Sequence, residues 1–230
     1  VLLDPITEFR YLTSDERQFR SGILGLLDYL KEIDATVMLT SQAGGSVTDD
    51  DLQFLVDAVV SLEVTSESRS VSVSKFRGSS FRRGNHFYDI SDEGLTVWPT
   101  LAPGEQKREV EPGTLSSGVA ELDELLYGGL DQGTVTILSG PTGVGKTTTG
   151  LQFLAQAALE GKKSVLFQFE EAERTIRKRA DAIGLPLQSA LDSGAMSIVE
   201  IAPEEYTVGE FEHLVREAVN DGTEVVMIDG

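Results

Sequence analysis

The chain has 230 residues, 40% of them hydrophobic, enough for one large domain or two small ones with packed cores. Its 38 acidic residues outnumber 19 basic ones, a formal net charge of −19 that argues against generic nucleic-acid binding, because phosphate neutralisation needs a basic face. The absence of Cys excludes disulfides and thiolate metal sites. The only two His, His86 and His213, argue against a His-based metal site or triad.

So large an acidic excess points to a high-salt cytoplasm, where screening relieves self-repulsion; an ordinary acidic protein is the alternative. No apolar run reaches the roughly 18 residues a membrane helix needs, and the start lacks the basic-then-apolar pattern of a signal peptide. A cytoplasmic location is the expectation.

In chain order, residues 1 to about 98 read as strand, helix, strand and then several short strands. Ile23, Leu24, Leu26, Leu27, Leu30 and Ile33 give a helical stripe, and "ATVMLTS" (35–41) is an apolar run of strand length. "DAVVSLEV" (57–64) is a further strand, and "RSVSVSKF" (69–76) alternates with a period of two, as a half-buried strand does. "HFYDI" and "LTVWP" form a hairpin around "SDEG". Residues 99–113, polar and without an apolar period, read as an interdomain linker.

From residue 114 the rhythm changes. "TVTILSG" is a strand, followed by the helix of "TTTGLQFLAQAALEG". Next come strand "SVLFQFE", helix "ERTIRKRADAIG", strand "MSIVEI", helix "VGEFEHLVREAVNDG" and strand "EVVMID". Strands alternating with helices imply parallel βαβ units with right-handed crossovers, their strands buried on both faces.

"GPTGVGKT", Gly140 to Thr147, fits G-x-x-x-x-G-K-[ST] in full and stands between an apolar strand and a helix. Gly143 and Gly145 let the backbone curl so that successive N–H groups of the loop, among Thr142, Val144 and the residues through Thr148, face phosphate oxygens. The following helix adds its N-terminal partial charge. Lys146 reaches the β- and γ-phosphates, and the Thr147 hydroxyl suits Mg²⁺. Asp229, closing "VVMID", is expected as the second carboxylate on the Mg²⁺ side; alone the signal is weak, because many strands end in Asp. Glu170 and Glu171 follow the strand next in sequence. They are either carboxylates at the sheet edge that orient or deprotonate an attacking water, or an acidic helix start favourable to the dipole. "KFRGSSFRR", with Lys75, Arg77, Arg82 and Arg83, is the one basic cluster: a solvated turn, or a phosphate contact.

The stretch "SSGVAELDELLYGGLDQGTVTILSGPTGVGKTTTGLQFLAQAALEGKKSVLFQFEE" resembles the opening of a KaiC-type domain of the RecA-like ATPase superfamily. The resemblance implies an α/β fold: a mostly parallel central sheet flanked by helices, with a late antiparallel extension. It implies ATP and Mg²⁺ as ligands, and Glu170 and Glu171 as paired catalytic carboxylates with Lys146. "SKFRGSSFRRGNHFYDISDEGLTVWP" resembles the end of such a domain, where a K-x-R-G tip reaches the nucleotide of a neighbouring ring subunit. That match places Lys75 and Arg77 on the γ-phosphate in trans, with Phe76 and Ser79 near the nucleotide. It also implies a homo-oligomeric ring, hexameric by resemblance.

"VLLDPI" at the start then corresponds to the acidic strand of a preceding copy, with Asp4 where Asp229 stands later. On this reading residues 1–98 are the C-terminal half of one KaiC-like domain and residues 114–230 the N-terminal half of the next. The two halves either complement each other as one permuted sheet or are pieces of a tandem protein. In the family's circadian-clock member the second domain phosphorylates adjacent Ser and Thr residues. Laid from Thr48-Asp49 to Asp57, those positions become Gln53 and Phe54, which have no hydroxyl.

The expected function is a Mg-dependent ATPase in signal transduction or regulation, with protein partners the sequence does not name. Alternatives are a nucleotide-gated scaffold with little turnover, or an autokinase acting through a complete second domain of a parent protein. A DNA recombinase of the same superfamily is disfavoured by the charge and by the lack of aromatic or basic DNA-contact segments.

Overall fold

The computed structural model describes residues 1–41, 50–66, 68–101 and 112–230. The expected linker therefore lies mostly outside the described residues, as does Thr48-Asp49. The chain divides into two compact units, Val1–Glu63 with Val71–Asn85, and Val64–Ser70 with His86–Gly230.

In the first unit, β1 (Leu2–Leu3) leads through a 3-10 turn, Ile6–Leu12, to α1 (Glu16–Glu32). Asp15 caps α1 by accepting from Gln18 N (2.8 Å), which satisfies one of the orphan donors of the first turn. Phe19, Ile23, Leu27 and Leu30 are buried with Ile6 and Leu52. The stripe thus begins one turn earlier than the leucine pattern suggests, and Leu24 and Ile33 face outward. The Arg10 guanidinium lies 4.3 Å from the Phe19 ring centroid. After α1 the chain turns at Asp34, whose φ of 55° is left-handed, and enters β2 (Met38–Leu39). β2 runs parallel to β1 in the register Leu2↔Met38 and Leu3↔Leu39, so only two residues of the expected 35–41 strand join a ladder. β3 (Ala58–Val64) and β4 (Arg69–Phe76) follow.

From His86 onward the second unit carries an antiparallel hairpin, β5 (Asn85–Ser91) and β6 (Gly94–Trp98), in register Phe87↔Trp98 through Ser91↔Gly94. β7 (Thr114–Leu115) pairs with β8 (Leu130–Asp131) around the short helix α2 (Ala120–Leu125). Gly129, between α2 and β8, has φ 122° and comes so close to Leu115 that an added Cβ would sit 2.2 Å from the Leu115 carbonyl oxygen. Only glycine meets both demands.

Four helices and three strands complete the unit: α3 (Lys146–Leu159), β9 (Ser164–Gln168), α4 (Glu173–Ala182), α5 (Leu187–Asp192), β10 (Met196–Glu200), α6 (Val208–Asn220) and β11 (Val225–Asp229). The strands form a parallel sheet in the order β10-β9-β11. β9 is buried throughout, and its alternation sorts its side chains between two cores. Leu166 packs with Leu151, Leu154 and Ala155 of α3, Ile176 of α4 and Leu187 of α5. Val165 and Phe167 pack toward Phe211 and Leu214 of α6, and the Phe167 and Phe211 rings meet edge to face at 5.4 Å. Thr207 and Glu210 close a reciprocal capping box on α6. β10 and β11 are only partly buried, against the expectation of strands covered on both faces; among the described residues each has a neighbour on one side only.

The segment "TVTILSG" departs from expectation: residues 134–140 join no ladder among the described residues, and Val135 and Ile137 are 93% and 84% exposed. Between this segment and β11 runs a cleft of about 1110 Å³ lined by Ile137, Leu138, Met227 and Ile228. The segment still delivers the loop to the N-terminus of α3. The mixed α/β architecture, a parallel sheet with flanking helices and an antiparallel hairpin, agrees with the RecA-like class read from the sequence.

Candidate phosphate-binding site

The loop of Gly140 to Thr147 runs directly into α3, which starts at Lys146. Gly143 (φ 81°) and Gly145 (φ 100°) are both left-handed, a conformation other residues adopt only with strain. Gly145 is also the residue before the first helical turn, whose N–H groups have no partner within the helix. Thr142 and Val144 lie on the exposed side of the loop, and Thr148 is half-buried in the first turn. Lys146 folds back over the loop, its Nζ donating to the carbonyls of Gly140 (3.1 Å) and Pro141 (3.4 Å). Both acceptors belong to the loop itself, so the ammonium is kept beside it.

Thr147 Oγ1 donates to Asp229 Oδ2 at 2.6 Å, joining residues 82 apart in the chain. Parallel pairing of β11 with β9 makes this possible. The register Asp229↔Gln168 sets the last residue of β11 level with the last of β9, at the sheet edge that faces α3. Glu170 and Glu171 follow at the same edge. Their surroundings differ. Glu170 is exposed and has no hydrogen bond or ion pair among the described residues. Glu171 is half-buried and gripped by Arg179, two turns into α4: Nη1 donates to Oε1 at 2.9 Å, and Nη2 lies 2.8 Å from Oε2. Phe169 N donates to Asp229 O, which fixes where the chain leaves β9.

Two residues at this edge were not singled out from the sequence. Arg179 lies eight positions beyond Glu171 in a basic helix face and gave no spacing signal. Gln168 is a polar side chain in an otherwise apolar strand and is 2% exposed. With its amide oriented to match its neighbours, Nε2 donates to Asp229 Oδ2 (3.1 Å) and Oε1 accepts from Glu171 N (3.3 Å). A lone amide in an otherwise apolar strand is the signal by which the sequence could have shown it.

The basic tip lies in the first unit. Lys75 Nζ donates to Gln53 O (2.8 Å); Arg77 Nη1 lies 3.3 Å from Asp57 Oδ1, and its Nη2 lies 3.5 Å from Phe54 O. Lys31 also reaches Asp57, at 3.2 Å. The Lys31 ammonium first, and Arg77 after it, hold the Asp57 carboxyl below the usual aspartate range. Phe76 ends β4, and the Ser79 hydroxyl donates to Ser80 O. Lys75 and Arg77 are thus each held by their own unit.

Among the described residues no group of three or more His, Asp or Glu converges as a metal cage. The donors that do meet, one hydroxyl and one carboxylate at a phosphate loop, fit Mg²⁺. That ion keeps several waters and takes one or two protein oxygens plus substrate phosphates.

A family model described as "ATPase: KaiC" matches residues 1–102 and 115–229. A protein named circadian clock oscillator protein KaiC from Synechococcus elongatus is 26% identical over 229 residues, 96% of this chain and 44% of that protein. One of the same name from a strain of Prochlorococcus marinus is 30% identical over 203 residues, 85% of this chain and 40% of that protein. One from Parathermosynechococcus lividus is 26% identical over 222 residues, 93% of this chain and 40% of that protein. The chain therefore spans less than half the length of these relatives. None of its described helices is long and apolar enough to cross a membrane. With a family match over most of its length, and a phosphate loop bonded through Thr147 to a strand-end aspartate, this chain belongs to the KaiC family of RecA-like P-loop ATPases.

Proposed function

We propose that this chain binds ATP with Mg²⁺ at the loop of Gly140 to Thr147 and hydrolyses it, as part of a regulatory or signalling protein. The observation that carries the reading is the Thr147–Asp229 hydrogen bond, because it aligns a phosphate loop, a hydroxyl and a carboxylate in one place. The backbone N–H groups from Thr142 to Thr148 would bind the phosphates, and Lys146 would leave its two carbonyls for the β- and γ-phosphate oxygens. Thr147 and Asp229 would hold Mg²⁺, which supplies charge neutralisation on the transferring phosphoryl group. The exposed Glu170 would accept the proton of the attacking water, while Glu171, oriented by Arg179, would help position that water.

Lys75 and Arg77 would act from a neighbouring subunit of a homo-oligomeric ring, hexameric by resemblance, with Phe76 and Ser79 beside the nucleotide. To do so they would exchange Asp57 and the Gln53 and Phe54 carbonyls for phosphate oxygens. Residues 1–98 and 114–230 would belong to successive KaiC-like domains joined by 99–113. The relatives' printed role in a circadian clock motivates the regulatory assignment. The Gln53 and Phe54 side chains offer no phosphate acceptor, so autophosphorylation would need a further domain.

Phosphate release at high salt, measured for the wild type, Glu170→Gln and Glu171→Gln, tests the reading. Wild-type turnover that falls about 100-fold or more in Glu170→Gln is the expected result, in line with the size of general-base contributions. ATP binding without Glu-dependent release would instead support a nucleotide-gated scaffold, a reading favoured by the Arg179 grip on Glu171.

A further inference from the structure

We propose that Gln168 is a positioning residue that ties the Mg²⁺ end of the site to the water end, an inference that rests on the ATP–Mg²⁺ binding just proposed. The amide bridges two points that the chemistry must keep in step. On one side its Nε2 donates to Asp229 Oδ2, the oxygen that also receives the Thr147 hydroxyl. On the other its Oε1 accepts from the backbone N–H of Glu171, whose carboxylate follows in the same residue. A continuous run of hydrogen bonds therefore leads from Thr147 through Asp229 and Gln168 to the Glu170–Glu171 segment.

Three features make this more than packing. Gln168 is 2% exposed, so its amide has no ready water to replace a lost partner. Its neighbours on β9, Phe167 and Leu166, are fully buried and apolar, so a leucine of similar volume would suit packing alone. Its length also matters: the pairing of Asp229 with Gln168 sets the two backbones side by side, and the side chain then spans from the carboxylate to the next turn of its own chain. A glutamine meets both a carboxylate and an N–H because its amide offers a donor and an acceptor at once; a leucine offers neither, and a glutamate offers only acceptors when ionised.

With two donors on Oδ2, the Thr147 hydroxyl and the Gln168 amide, the Asp229 carboxylate is fixed in rotation, which is how outer partners orient a metal ligand. The charged and titratable groups that reach the amide, its partners or its register position are Asp229 of β11, Glu171 with its partner Arg179 of α4, and Glu200, the β10 residue in register with Gln168. The Glu200 carboxylate is occupied by Glu173 N at 2.5 Å. None of these replaces the amide at Asp229 Oδ2.

The test uses the full chain, a fluorescent non-hydrolysable ATP analogue and a Mg²⁺ titration, with EDTA as the metal-free reference. Gln168→Leu should leave the EDTA affinity within about twofold, because the side chain touches no phosphate-loop atom. It should raise the Mg²⁺ concentration at half-saturation about 10-fold, the usual scale for losing a partner of a metal ligand. Gln168→Glu should be worse than Gln168→Leu at pH 8, where two carboxylates repel. A purely structural glutamine would give Mg²⁺ curves in both variants that shift no more than the EDTA affinity does.

Mg²⁺ curves of both variants superimposed on the wild type would overturn the proposal, as would losses of Mg²⁺ affinity matched by equal losses of EDTA affinity. If Gln168→Leu does not fold, the Mg²⁺ titration of Gln168→Glu against its own EDTA affinity decides alone. A wild type that shows Mg²⁺-dependent binding but no phosphate release would overturn the hydrolytic reading and leave this one to be decided by the variants. A wild type with no Mg²⁺-dependent binding would overturn both.

Discussion

Asp123 shows how a single side chain can organise the approach to the phosphate-binding unit. Its carboxylate accepts from Ser116 Oγ (2.5 Å), Ser117 N (2.8 Å) and Ser117 Oγ (2.7 Å). Hydrogen bonds to the charged form, the Ser116 hydroxyl first, hold its carboxyl below the ordinary aspartate range. The folded state therefore binds a proton less readily than the unfolded chain, so the contribution to stability is present above about pH 4 and is lost as pH falls through the lowered folded value. Asp123→Asn should be less stable than the wild type at pH 7, and the gap should close below about pH 4. Urea midpoints measured across that range check both parts. Ser117 is fully buried, and Gln152 of α3 donates to its carbonyl at 2.9 Å, so the same cluster also braces the helix that carries Thr147.

Among the elements, the second unit depends on two kinds of backbone fit. Gly129→Ala would put a Cβ 2.2 Å from the Leu115 carbonyl oxygen at a left-handed φ, and the atom it meets is backbone of a strand paired to β8 rather than the end of a flexible side chain. A loss of about 3 kcal/mol or more is expected in chemical denaturation. Thr207→Ala removes one arm of the α6 capping box and should cost about 1 kcal/mol in the same measurement. The contrast between the two follows from cause: a cap leaves water to replace what it lost, whereas a backbone collision has no substitute. The periodicity of "VGEFEHLVREAVNDG" made α6 legible, and the strict alternation of "RSVSVSKF" gave β4 with both ends correct. α2 and α5 escaped because six residues are too few to show a period.

For the molecule as a whole, the net charge of −19 implies self-repulsion that salt should relieve. The melting temperature should rise as KCl is increased from about 0.1 M to about 2 M, and ATP-analogue binding should not fall over that range as it would for a steering-dominated site. A flat thermal response would return the chain to the class of ordinary acidic proteins.

The sequence by itself determined the phosphate loop, because glycine spacing, lysine and threonine are local requirements of one turn. It also determined the alternating strand–helix rhythm, because apolar period is a local property. It marked Asp229 and Glu170–Glu171 as strand-end acids. Only the tertiary structure decided that Asp229 meets Thr147, because that contact depends on the β9–β11 register. It alone separated the two glutamates, leaving Glu170 open and placing Arg179 on Glu171. It also left residues 134–140 without a ladder among the described residues, since apolar character makes a strand possible and a neighbouring edge is needed to complete it.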